Sequence, residues 1–433
     1  MNTCWSLWAK AVRLVIPGIL FFLVGPSGLR AQFLIVDCSG TNLYAYPSIN
    51  AALPNAGPGA FILVTGPCTE NVLLFGRSAL NLGAFFGQTA TINGTISIGN
   101  SDNIFLYGLN VTNPSGNGIS VNSSRSIALD SCTSNGNAGV GLNVGGMSDV
   151  TVLATGAFDN NAGGGINITG NSIVNLIAFA GLADISNNRG PGIFASQANV
   201  FTLGNTNVSN NVSGFGLDLR GGTHAQMLAI FGPNSLTGNQ SGGASLQETA
   251  EISFFSIGPP NLIQSNGPVG VSAGLGSQAT FFNDVQVTDH SGAGIDLYGN
   301  SQAYLFGTSQ VLRNGSATDA RSAGIRVDGN SEAFLRGGQV SGNAGPGMLV
   351  LVNSSADFSG VSFSGNNGVI SCDSSSTMVS DLAGPSSTPP AGVSCRTPHG
   401  LGGRQITKTQ PAVPDWSAQK AQHDSYAKLA VKH

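Results

Sequence analysis

Four residues have the types and spacing to do chemistry on an acidic sugar: Asp296, Tyr298, Arg326 and Asp328. Each pair is two residues apart, so in extended chain both members project to the same side. On neighbouring strands, the Arg326 guanidinium can hold a uronate carboxylate or take a proton beside it. Tyr298 can donate a proton or stack on the ring, and Asp296 with Asp328 can bind Ca²⁺. The competing reading is a cross-strand Asp296–Arg326 ion pair next to an exposed Tyr. Asp289-His290, with Asp284 close by in sequence, is a second candidate, because an imidazole between carboxylates can shuttle protons. The alternative there is a plain turn substitution. His224, after Gly221-Gly222-Thr223, reads as a surface loop residue. Asp218 with Arg220 forms a further charged pair.

Other catalytic signatures fail on context. Gly270-Val271-Ser272-Ala273-Gly274 has the G-x-S-x-G spacing, but that motif needs a sharp turn into a helix and here it is one rung of a repeat. Gly292-Ala293-Gly294 lacks the strand–helix setting of a dinucleotide site. Residues 32–403 hold nine Arg, no Lys and 19 Asp or Glu, which removes P-loop and Lys Schiff-base chemistry and leaves no basic groove for nucleic acid. No C-x-x-C is present, so neither a zinc nor a dithiol site is supported.

The elements that must position these residues are repeats. A Gly followed by an apolar residue recurs at Ile119, Val140, Ile166, Ile193, Leu217, Ala244, Val271, Ile295, Ile325, Met348 and Val369, every 25 residues on average. Three short strands and three turns fill that length, whereas a propeller blade takes about 40–45 residues. Asn135, Asn160, Asn187, Asn210, Asn239, Asn266, Asn314, Asn343 and Asn366 precede the strands, with His290 replacing Asn once. Asn tolerates left-handed backbone, and stacked amides can bond one another, so this column reads as structural. The outward positions read Ser120, Gly141, Asn167, Phe194, Asp218, Ser245, Ser272, Asp296, Arg326 and Leu349, mostly small and neutral. Only 9% of residues are charged, against about 25% in ordinary domains, and Gly is 62 of 433. Met348 to Val352 is apolar at every position, which implies cover on both faces.

The ends differ from the body. Residues 1–31 read as an export signal, with Lys10 and Arg13 before the apolar run Leu14 to Val24. An uncleaved anchor is the alternative, and the mature chain shows no other stretch able to span a bilayer. Export permits disulfides. We expect Cys38 to pair with Cys68 and Cys372 with Cys395, leaving Cys132 in the core, although spacing alone does not prove connectivity. Residues 32–89 form an N-terminal cap and first coils, 90–380 the repeats, and 381–433 a Pro/Ser/Gly linker and basic tail.

One segment is specific. A short helix Ser48-Ile49-Asn50-Ala51-Ala52-Leu53, the apolar run Phe61-Ile62-Leu63-Val64, then Gly66-Pro67-Cys68-Thr69-Glu70-Asn71-Val72 resembles the entry segment of secreted right-handed parallel β-helix proteins of the pectin-lyase-like superfamily. The resemblance spans about residues 33–380. It implies an all-β right-handed parallel β-helix, a solenoid with a short N-terminal capping helix and a mostly irregular C-terminal tail. It does not carry activity with it. The D-D pair, G-H-G and R-I-K of the family's polygalacturonases are absent, so the paired carboxylates of glycoside hydrolysis are not met by motif. We therefore expect an extracytoplasmic protein, secreted or in the cell envelope, that binds polysaccharide or cell-surface glycan or serves as a surface or structural element. The alternative is a lyase or uronate epimerase acting on acidic polysaccharide through Asp296, Tyr298, Arg326 and Asp328. No cofactor is expected beyond Ca²⁺ under that alternative. A self-associating stalk, a homo-oligomer, is a third reading.

Overall fold

The computed structural model describes residues 32–380 apart from 43–44, 179–180, 203, 317–318 and 320–321. Period-two apolar runs of four to six residues bury one side only, and the chain satisfies them by winding. Phe61–Thr65, Pro67–Cys68 and Val72–Phe75 lie in three different sheets, and Ser78–Ala84 returns to the first. We call these sheets A, B and C in that order; they contain 15, 13 and 13 strands. Neighbouring coils pair in parallel and in register, as Ile119 with Leu142 and Leu142 with Ile166.

The core is a set of stacked columns. Along sheet C, Ile119, Leu142, Ile166, Ile193, Leu217, Ala244, Val271, Ile295, Ile325, Met348 and Ile370 follow one another inside. Two expected positions are corrected: Leu142 replaces Val140 and Ile370 replaces Val369. In those coils the residue after glycine still belongs to the strand entry, and Val140 pairs with Gly164. The outward neighbour is therefore Asn143, not Gly141. In sheet A, Phe254 and Phe281 are fully buried and stack at 5.4 Å. Met348 and Val350 point inward, whereas Val352 has left-handed backbone and is exposed, so the apolar run ends at a turn.

Ladders running along the stack hold the coils at their turns. Between sheets B and C the rungs are Asn137, Asn161, Asn188, Asn211, Asn239 and Asn266, then His290, Asn314, Asn343 and Asn366. The first four differ from the expected Asn135, Asn160, Asn187 and Asn210. Three of those, Asn160, Asn187 and Asn210, supply the left-handed backbone of the turn instead. The two tasks ascribed to one Asn are thus divided between adjacent residues. Between sheets C and A, backbone N–H groups bond serine hydroxyls of the next coil, Ser101 to Ser124, Ser124 to Ser148 and Ser148 to Ser172, all at 3.1 Å.

The N-terminal end is closed by the helix Ile49–Ala52, which buries Ile49 and Ala52. Ser48 caps it, accepting the Ala51 N–H, and the Glu70 carboxylate takes the N–H groups of Ile49 and Asn50 at 2.7 and 3.0 Å. Cys38 and Cys68 form a disulfide, as expected. Cys132 is a buried free thiol, pushed up to about 12 by desolvation, and so acts as a small apolar core residue. Cys372 is disulfide-bonded; its expected partner Cys395, residues 1–31, where an export signal is expected, and the basic tail lie outside the described residues.

Candidate functional site

Sheet C brings three of the four charged-cluster residues together. Asp296 pairs with Arg326 across neighbouring strands, and Arg326 Nε lies 2.9 Å from Asp296 Oδ1. This is a charge contact rather than an aligned hydrogen bond. Asp328 Oδ2 is 4.0 Å from the same guanidinium. Arg326 thus sits between the two carboxylates. Tyr298 is turned away from them. Its ring covers Gly274, where a Cβ would overlap it, and its hydroxyl is 2.5 Å from Gln247 Nε2, two coils toward the N-terminus. The phenol is held by the neighbouring coils and does not face Arg326.

The Asp284, Asp289 and His290 group is separated. Asp289 binds Arg313 through both carboxylate oxygens at 2.7 Å, which holds its carboxyl below the usual range. The Asp284 carboxylate accepts from Gln286. His290 is buried inside the turn ladder and its ring bonds are to backbone. A proton shuttle between carboxylates is therefore not assembled, and the turn-substitution reading holds. His224 is not in a loop. It begins the sheet A strand His224–Ala229 and its Nδ1 lies 3.0 Å from Glu251 Oε2. It borders a polar hollow of about 420 Å³ with Asn171, Gln197 and Asn199. That hollow offers no apolar surface comparable to the groove described next. Asp218 and Arg220 bind each other bidentately, and the guanidinium lies over the Phe194 ring.

A longer groove of about 660 Å³ lies on the outer face of sheet C in the first coils. One outward column runs Leu73, Ser97, Ser120, Asn143, Asn167. The other runs Phe75, Gly99, Asn122, Gly145, with Thr169 beyond. Successive coils place these groups about 4.8 Å apart. The groove exists because the second column alternates large side chains with none. Phe75 leans over Gly99, where a Cβ would come 2.9 Å from the ring, yet the ring stays 69% exposed. Gly145 is an open floor, since a Cβ there would meet Thr169 Oγ1 at 3.4 Å and Asn122 Oδ1 at 3.9 Å, both ordinary contacts. No lining side chain is charged. The surface offers hydroxyls and amides in a row beside an apolar platform of Phe75 and Leu73.

Residues 260–382 match the family model described as right handed beta helix region. Together with three in-register parallel sheets, that match settles the architecture. The chain is a right-handed parallel β-helix. No curated protein matches it. Among solved structures it is similar to the A-module of the Azotobacter vinelandii mannuronan C-5 epimerase AlgE4, at 11% identity over 79% of this chain and 93% of that one, TM-score 0.37. It is also similar to PfbA, a surface adhesin of Streptococcus pneumoniae, at 11% identity over 76% and 85%, TM-score 0.24. Pectate lyase Pel9A aligns at 13% identity over 84% and 83%, TM-score 0.23.

Sequence reasoning recognised the bland outward columns of the β-helix but missed the groove. The shift from Val140 to Leu142 hides the Gly145 floor in the sequence. A usable signal was present: Phe75 and Gly99 fall at equivalent outward positions one coil apart.

Proposed function

We propose that this β-helix is an extracytoplasmic glycan-binding protein and that an uncharged polysaccharide chain lies along the sheet C groove. The observation that carries this reading is the exposed Phe75 ring resting on Gly99, beside Ser97, Ser120, Asn122, Asn143 and Thr169. Sugar rings present an apolar face and a polar rim. An aromatic platform accepts the first, and hydroxyl and amide groups accept the second. The lack of charge along the groove disfavours a uronate, whose carboxylate would be desolvated without a partner. The Cys38–Cys68 disulfide and the apolar run near the N-terminus support the extracytoplasmic setting.

Phe75→Ala should weaken binding of the preferred neutral glycan about tenfold or more, the loss expected when one aromatic contact of about 1.5 kcal/mol is removed. Gly145→Val should fill the groove floor and weaken binding comparably, while the circular dichroism spectrum stays unchanged. Isothermal titration of both variants checks this; unaltered affinity in both would remove the groove from the account.

A second reading keeps the acidic-polysaccharide alternative. Its support is Arg326 held between Asp296 and Asp328 on the same face of sheet C. Under it, Arg326 meets a uronate carboxylate after leaving Asp296, and the two carboxylates supply oxygen ligands to Ca²⁺.

A further inference from the structure

The turn ladder has one rung of different chemistry. At Asn161, Asn188, Asn211, Asn239, Asn314 and Asn343 the amide does two things: its Oδ1 accepts from the preceding coil, and its Nδ2 donates to a backbone carbonyl and to the next Asn. Asn239 shows the set, with Nδ2 bonded to Val208 O at 3.0 Å and to Asn266 Oδ1 at 2.9 Å. His290 reproduces only part of it. Its Nδ1 accepts the Asn266 N–H at 3.2 Å, and its Nε2 lies 3.1 Å from Ile263 O. Those partners define the tautomer, with Nδ1 bare and the proton on Nε2. The Asn266 Nδ2 then bonds Leu236 O without the amide–amide bond to the next rung that Asn239 has. On the other side, the His290 backbone N–H reaches Asn314 Oδ1 at 3.2 Å.

The imidazole is 2% exposed and packs against Gly270, where a Cβ would come 2.7 Å from Nε2. The charged group that acts on it is Asp289, the preceding residue, whose carboxylate is bound by Arg313. The Val287 side chain and the Gly294 carbonyl lie beside it at the same spot over Gly270. A proton added at Nδ1 meets the Asn266 N–H head on. It can turn only to Asn266 O, 3.4 Å away, leaving the buried Asn266 N–H without an acceptor.

We infer that His290 is an acid-labile rung, and that acidification opens the β-helix first at the coils joining Asn266, His290 and Asn314. Burial holds the folded-state imidazole down to about 4, with desolvation as the largest cause, against about 6.5 in an unfolded chain. The neutral ring's contribution is therefore complete above about pH 6.5 and is lost as pH falls toward 4. Other rungs carry amides, which do not titrate.

Hydrogen exchange of the full chain at about pH 7 and about pH 4.5 tests this, after correction for intrinsic exchange rates. The opening equilibrium of segments around Asn266 and His290 should rise by roughly two orders of magnitude, while segments around Asn188 and Asn211 change much less. His290→Asn restores a full amide rung, and in it the local pH effect should vanish. Uniform loss of protection along the wild-type solenoid would overturn the inference. So would a His290→Asn protein that still opens first at these coils. The wild-type exchange pattern decides the question even if that variant folds poorly.

Discussion

Replacing Asn211 with Ala should lower solenoid stability by about 3–5 kcal/mol, measured by guanidinium unfolding at neutral pH. Asn211 is fully buried. Its Oδ1 accepts the Asn188 N–H at 3.1 Å and the Asn188 Nδ2 at 3.0 Å, and its Nδ2 donates to Ile185 O at 3.3 Å and Asn239 Oδ1 at 2.8 Å. Alanine removes all four contacts. It leaves the Asn188 N–H and the Ile185 carbonyl buried without those partners, and each such group costs about 1–3 kcal/mol. Because coils interact mainly with their neighbours, the loss should appear as local opening of adjacent coils before the ends respond. A change below about 1 kcal/mol would mean that the ladder amides are replaceable by water.

Phe281→Ala should cost a comparable amount, about 3–5 kcal/mol. The ring is fully buried and stacked on Phe254 at 5.4 Å with an interplanar angle of 17°. The sheet C strands just before these two phenylalanines carry buried Ala244 and Ala273, so the coil interior there depends on aromatic volume. Removing the ring opens a cavity between coils fixed on both sides by in-register pairing, and the backbone cannot close it cheaply. Phe281→Leu should recover part of the loss. Thermal unfolding of both variants reads the order, and an Ala variant as stable as wild type would contradict the packing described.

Much of the fold was legible because solenoids write their architecture into periodicity. Ile166, Leu217 and Ile295 are inward for the same reason: each follows a Gly and precedes a polar residue. The register failed at Val140, where the strand begins two residues early and glycine no longer marks the rung. The Asn column failed at its first four positions because Asn-Asn and Asn-x-Asn present two amides, and only three-dimensional stacking tells the turn residue from the rung. The serine ladder was invisible, since single Ser residues in a Ser-rich chain carry no contrast. The charged cluster was half legible. Cross-strand pairing of Asp296 with Arg326 follows from register, but the Tyr298 rotamer depends on Gly274 and Gln247, one and two coils away. The groove at Phe75 required knowing which outward glycines stack, which composition does not reveal.

The measurement that bears most directly on the neutral-glycan reading is a comparison of wild-type affinities for uncharged polysaccharides with those for polygalacturonate and alginate, with and without Ca²⁺. Binding to at least one neutral chain is expected, insensitive to Ca²⁺, weakened about tenfold or more in Phe75→Ala, and retained in Arg326→Ala. Binding confined to the acidic chains, or release of unsaturated uronates abolished by Arg326→Ala, would contradict it and move the site to Asp296, Arg326 and Asp328.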